Sequence, residues 1–170
     1  MALPNQSVTQ PAASTSPRVV LAIDYGRRRF GLALSDALGL TARPLAVFQR
    51  TNRRNDITRL RDLCRRHEVG RIVVGWPVRL DGTPGDMAKE AAAFADRLRK
   101  HLGRPVELVD ERLSSWEAEQ QLHEWGVLRP GQSVDDLAAA IILRDYLARS
   151  QKSDSPAGVR LLPAGADQAG

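Results

Sequence analysis

The first strongly patterned stretch is Val19-Val20-Leu21-Ala22-Ile23, an apolar, β-branched run that stops abruptly at Asp24 and Gly26. A run without polar alternation reads as a central strand buried on both faces. Phe30-Gly31-Leu32-Ala33-Leu34-Ser35 instead alternates large and small residues. One face of this second strand carries Phe30, Leu32 and Leu34, and the other is nearly bare. Only Tyr25 to Arg29 separate the two runs, which predicts an antiparallel hairpin. Ala42 to Gln49 gives a third strand, and Pro44 assigns it to a sheet edge or a bulge.

Further along, Ile57, Leu60, Leu63 and Cys64 recur at helical spacing across Asn55 to His67, with an arginine-rich opposite face. Gly70 reads as the stop after that helix. Arg71 to Gly75 is a second buried strand, expected parallel to the first. Trp76 to Gly85 reads as a loop, punctuated by Asp81-Gly82 and Pro84-Gly85. A helix from Asp86 to Leu102 turns Ala91, Phe94, Ala95 and Leu98 inward and closes at Gly103. Val106 to Val109 is a short strand running into Asp110-Glu111. Ser114 or Ser115 caps a helix to about Trp125, and Ser133 caps a last one from Val134 to Ala148. This order predicts an α/β domain with a mixed sheet. In such sheets ligands gather beyond the carboxyl ends of the parallel strands. Asp24, the Trp76-Pro77 loop and Asp110-Glu111 all fall there.

The composition, 42% hydrophobic and 26% charged over 170 residues, suits one globular domain. Residues 1–17 and 150–170 are rich in Ser, Pro, Ala, Gly and Gln and are expected to be mobile tails around a domain of residues 18–149. No apolar run approaches the ~18 residues of a membrane span. The start of the chain lacks the basic end and apolar middle of a signal peptide, so a cytoplasmic location is expected. The lone Cys64 excludes a disulfide framework and a cysteine-based zinc site. His67, His101 and His123 share no short metal-binding spacing.

Charge changes the picture. The net charge is +5, and it is unevenly distributed. The window from Arg27 to Arg71 holds twelve arginines against Asp36, Asp56, Asp62 and Glu68, a local excess of +8. Arginine forks onto phosphate and stacks on bases, so the window reads as a nucleic-acid footprint. The bland reading is arginine-rich codon usage with the side chains simply solvated.

Against this basic background three acidic positions stand where elements begin or end: Asp24, the pair Asp110 and Glu111, and the pair Asp135 and Asp136. Convergent carboxylates are what a hard divalent cation requires, and such a site cleaves phosphodiesters. Each position has a structural reading as well. Acids in a first helical turn complement the helix dipole, and Ser133-Val134-Asp135-Asp136 resembles a capping box. Asp110 could simply pair with Arg112 or Arg104. Trp76, in a loop at the edge of the site, could stack a base.

Four motifs together resemble one family. Ala22-Ile23-Asp24-Tyr25-Gly26 with Gly31-Leu32-Ala33-Leu34-Ser35-Asp36 and Thr41-Ala42-Arg43-Pro44-Leu45 is similar to the opening of the YqgF (RuvX) proteins. Ile72-Val73-Val74-Gly75-Trp76-Pro77 with Asp81-Gly82-Thr83, then Asp110-Glu111-Arg112-Leu113-Ser114-Ser115, then Val134-Asp135 with Ala138-Ala139 and Ile142-Leu143 continue the match in order. The resemblance spans about residues 19–148. It implies an RNase H-like fold, with a mixed central sheet and helices on both faces, related to Holliday-junction resolvases. It implies a nuclease that trims the 5′ end of pre-16S ribosomal RNA during ribosome biogenesis. By position it makes Asp24, Glu111 and Asp135 the catalytic and metal-binding carboxylates, with Asp110 and Asp136 as possible additions and Mg2+ or Mn2+ as cofactor. Trp76 departs from the family, which often has an aliphatic residue there. Arg27, Arg28, Arg29 and Arg112 are the expected nucleic-acid contacts, together with arginines of the first helix. The expected partner is a structured rRNA precursor, handled by a monomer or weak homodimer. The rival readings are a branched-DNA resolvase and an RNA-binding assembly factor without catalysis. A two-domain phosphotransferase of the actin and Hsp70 type also begins with a strand, an Asp-x-Gly and a hairpin, but this chain has only one such core.

Overall fold

The structure is a computed structural model that describes residues 18–113 and 134–153. Side chains are described for residues 18–112 and 137–151. The helix expected from Ser114 or Ser115 to Trp125, residues 1–17 and residues 154–170 lie outside the described residues.

Five strands form one mixed sheet in the order β3-β2-β1-β4-β5. They are β1 Val19–Tyr25, β2 Arg29–Ser35, β3 Ala42–Gln49, β4 Val69–Trp76 and β5 Val106–Asp110. β1 is central, as its unbroken apolar run requires. It pairs antiparallel with β2 through the hairpin and parallel with β4. β3 is an edge strand. Leu32 pairs with Ala46 while Ala33 pairs with Pro44, so Leu45 is the extra residue of a bulge beside the proline. Pro44 thus occupies both an edge and a bulge, the places where a missing N–H is tolerated.

Helices cover both faces. α1 Arg53–Arg66 and α2 Asp86–Leu102 place Leu60, Leu63, Cys64, Ala91, Phe94 and Leu98 against Leu21, Ile23, Phe30, Leu32, Ile72 and Val74. Phe30 and Phe94 stack at 4.8 Å between ring centroids. The other face takes α3, Val134–Ser153. There Ala139, Ala140, Ile142, Leu143 and Leu147 pack on Val20, Ala22, Ala33, Val73 and Val109. The bare face of β2 is therefore the seat of α3: small side chains let a helix lie close to the sheet.

Three boundaries differ from the sequence pattern. Gly70 does not end α1; it lies inside β4, where a Cβ would collide with the side chain of Arg18. The turn is made by Glu68, at φ 52°, the only positive-φ non-glycine among the described residues. Trp76 belongs to β4, not to the loop, and its indole N–H donates to the Ala88 carbonyl at 3.2 Å. A half-buried ring held this way supports α2 and is not free to stack a base. Lastly, α3 runs past Ala148 and takes in residues 150–153 expected in the tail. Ser150 bonds back to the Tyr146 carbonyl, and the Gln151 amide donates to the Gly39 carbonyl at 3.2 Å. Among the described residues no helix is long and apolar enough to cross a membrane.

The close α3 seat yields a prediction. Ala33 is fully buried, so Ala33→Leu should overpack this layer and cost about 1–3 kcal/mol in urea denaturation. The same change at exposed Ala93 should stay within about 0.5 kcal/mol of the parent.

Candidate active site

The carboxyl ends of β1, β4 and β5 meet at one end of the sheet. β1 brings Asp24, paired across the hairpin with Gly31. β5 pairs Val109 with Gly75 and Asp110 with Trp76, and Glu111 then opens a short 3-10 turn, Glu111–Leu113. Ala22 and Val73 face α3. Strand alternation puts Asp24 and Gly75, each two residues on, on that same face. Gly75 is the key to the geometry. A Cβ there would collide with Glu111 Oε1 and lie 2.7 Å from Ile142 Cδ1. The bare backbone of β4 is thus the floor on which the Glu111 carboxylate rests, with Asp24 on the neighbouring strand and Ile142 of α3 as the wall.

The electrostatics follow from this enclosure. Burial raises the carboxyl of Asp24 above its ordinary value, and the guanidinium of Arg29 pulls it back. Glu111 is pushed up to about 7, first by burial and then by the negative charges of Asp24 and Asp110. Two carboxylates sharing a water-poor corner is a costly arrangement unless a cation offsets their charge.

Asp110, two residues before Arg112, has a different fate. Its carboxylate accepts Nε of Arg112 at 3.1 Å on each oxygen, Nη2 at 2.6 Å and the Arg112 backbone N–H at 2.9 Å. This fork holds its carboxyl below the usual range. Asp110 is committed to the surface pair with Arg112, the structural alternative that the spacing left open. Arg112 also reaches the Leu80 carbonyl at 3.4 Å and so braces the loop after β4. Asp135 and Asp136 stand in the first turn of α3, and their side chains lie outside the described residues. Among the described residues no three potential ligands cluster; Asp24 and Glu111 form a pair.

The three hairpin arginines divide between the faces. Arg27 forks onto Glu90 of α2, with Nη2 to Oε1 at 2.8 Å, on the face away from α3. Arg28 is exposed at the turn. Arg29 alone acts on Asp24. Two further residues fix this turn, and of these the sequence pattern marked only Gly26, as the end of the first apolar run. Gly26 would bring a Cβ within 2.6 Å of the Arg29 carbonyl. Arg50 lies 5.1 Å from the Tyr25 ring centroid, donates to the Gly26 carbonyl at 3.0 Å and pairs with buried Asp56 at 3.3 Å. Gly75 was also missed as a site residue, although a glycine inside an apolar strand signals close approach by another group.

Comparison with known proteins gives the family. The sequence profile described as "RuvX: Holliday junction resolvase" matches residues 18–149. The chain belongs to the RuvX family. Among its relatives, a protein of Koribacter versatilis (strain Ellin345) is 42% identical over 132 residues, covering 76% of this chain and 86% of the relative. One of Anaeromyxobacter dehalogenans (strain 2CP-C) is 46% identical over 131 residues, covering 76% and 96%. Both carry the name "Putative pre-16S rRNA nuclease". Among solved structures, T. thermophilus RuvC in complex with a Holliday junction substrate superposes with a TM-score of 0.59 at 16% identity, covering 81% of this chain and 97% of that one. That likeness shows a shared RNase H-like fold. The expected fold and the family resemblance are therefore both borne out.

The raised carboxyl of Glu111 predicts a pH dependence. Between the ordinary glutamate value and about 7, the folded protein binds more protons than the unfolded chain. The stability of the metal-free protein therefore falls as pH rises through that window. Glu111→Gln removes this loss. In calorimetry with chelator the variant should melt about 2–4 °C above the parent at pH 8, and the two should converge at pH 4.

Proposed function

We propose that this chain is a divalent-metal-dependent nuclease that hydrolyses phosphodiester bonds, with the 5′ end of pre-16S rRNA as its substrate. The observation that carries this reading is the Glu111 carboxylate lying over Gly75 beside Asp24. An all-oxygen donor pair that resists ionisation alone fits a hard cation, Mg2+ or Mn2+, whose charge offsets both carboxylates. Asp24 and Glu111 would hold it. Asp135, in the first turn of α3, is the proposed third ligand on the strength of the family resemblance. When bound, such a cation supplies Lewis acidity at the scissile phosphate.

The chain's own residues do the remaining work. Arg29 tempers the charge of Asp24 and, with exposed Arg28, can take the non-bridging oxygens of the incoming phosphate. Ile142 and the bare β4 backbone keep water from the rear of the Glu111 carboxylate. Arg112, locked to Asp110, sets the position of the loop after β4 more than it offers charge to substrate. Arg27 is held by Glu90 on the opposite face, so its contact with nucleic acid would require breaking that pair. The substrate class follows from the name that the relatives carry, and processing of such a precursor belongs in the cytoplasm. A monomer suffices, because Asp24 and Glu111 come from one chain. Branched DNA is the second reading, favoured by the family's description.

The test is cleavage of a 5′-labelled pre-16S leader RNA and of a four-way DNA junction, each with Mg2+. The parent should cut the RNA. Asp24→Asn and Glu111→Gln should each lose at least about 100-fold in rate, equivalent to about 2.7 kcal/mol. Gly75→Ala should fall with them, because the added methyl displaces the Glu111 carboxylate. Equal cleavage by the parent and Asp24→Asn would reject the reading. Cutting of the junction alone would select the second one, and metal-dependent RNA binding without cleavage would select an assembly factor.

A further inference from the structure

Several arginines of this chain are engaged within the fold. Arg27, Arg50, Arg71, Arg99 and Arg112 are each paired with a carboxylate. Arg59 is spent on the Phe48 ring, 4.2 Å from its centroid, and on the Gln49 carbonyl. A different set collects between α1 and α2. There Arg53, Arg54 and Arg61 of α1 face Arg97 and His101 of α2 across a groove of about 610 Å³. Ile57 and Thr58 complete the described lining, and none of it is acidic. Among the described residues no carboxylate pairs with Arg53, Arg54 or Arg97. Arg61 donates to the His101 carbonyl at 3.1 Å and so ties the two walls together.

Solvated arginines with no task would be expected to scatter or to find carboxylates, since Asp62 of α1 and Glu68 in the turn after it are exposed acids. Four guanidinium groups in one acid-free cleft instead form a trap for a polyanion. The groove also connects with the site. Arg50, three residues before Arg53, donates its backbone N–H to the Arg28 carbonyl at 2.9 Å. The N-terminal end of α1 therefore adjoins the hairpin turn that carries Arg28 and Arg29. A strand leaving the Asp24 side over this turn meets Arg53 and Arg54 next.

We propose that the α1–α2 groove is a second nucleic-acid contact, which grips the phosphodiester backbone of the RNA away from the point of cleavage. This deepens the nuclease reading and rests on it for the identity of the polyanion. The contact acts on affinity and register, and its residues touch no reacting atom. Arg54 stands in the first turn of α1, where loss of a positive charge suits the helix dipole. Substitution there should leave the fold intact.

The experiment is RNA binding by the metal-free full chain in EDTA, where no cleavage intervenes. The probe is an RNA stem-loop with a single-stranded 5′ extension, titrated at several salt concentrations. Arg54→Gln/Arg97→Gln should bind about tenfold more weakly at low salt. Its plot of log K against log salt should be shallower by about 1.4–1.8, the loss of two phosphate contacts. Lys89→Gln/Lys100→Gln, at exposed positions of α2 outside the groove, should leave the slope unchanged. Equal effects of the two pairs, no effect of either, or a parent that binds without salt dependence would each overturn the proposal. Because binding is read without metal, a parent that binds as predicted yet never cleaves would instead count against the nuclease reading.

Discussion

Glu111 rests on bare β4 backbone at Gly75, one strand from Asp24, and most of the fold can be read as the means of holding it there. Two carboxylates in a half-buried corner repel each other and lose hydration, so the apo fold is destabilised locally in order to keep them together. The strain appears as a glutamate that holds its proton to about pH 7. Such an arrangement persists only if the surrounding packing outweighs it. Here the packing is the apolar core on both faces of β1, which is large enough to absorb that cost.

The wall of the site and the core of the domain are the same object. Ile142 packs with Leu143 and Ala139 on the sheet and also borders the Glu111 carboxylate. α3 reaches this position because Ala22, Ala33 and Gly31 leave room for it. On the other side of Asp24, the hairpin turn is fixed by Gly26 and by Arg50, which couples the turn to Asp56 and the start of α1. Asp24 thus stands between two rigid supports, and Arg29 is delivered beside it by the turn itself. The same turn joins the acidic corner to the arginine groove, so chemistry and grip share one hinge point.

Much of this was legible in the sequence because it depends on period and termination. An apolar run without alternation named β1 as central, the large-small alternation of β2 marked one of its faces as bare, and Pro44 pointed to an edge or a bulge. Asp24 stood out because an apolar strand leads into it, whereas the choice of Glu111 over Asp110 came from the family resemblance alone. What stayed hidden depends on three-dimensional pairing. Spacing could not say that Asp110 would turn to Arg112 while its neighbour Glu111 turned inward. Nor could it say that Arg27 and Arg29, two residues apart, would lie on opposite faces. Gly70 was misread because a glycine after a helix usually caps it, whereas here Glu68 adopts the left-handed turn and Gly70 makes room for Arg18. Asp135 was reached through the family resemblance and not through spacing.

The central claim is that Asp24 and Glu111 jointly hold a divalent cation, and anomalous diffraction from Mn2+-soaked crystals tests it directly. The account predicts one strong peak about 2.0–2.6 Å from a carboxylate oxygen of each residue, with Asp110 still paired to Arg112. A peak that touches neither Asp24 nor Glu111, or full soaking with no peak over Gly75, would contradict it.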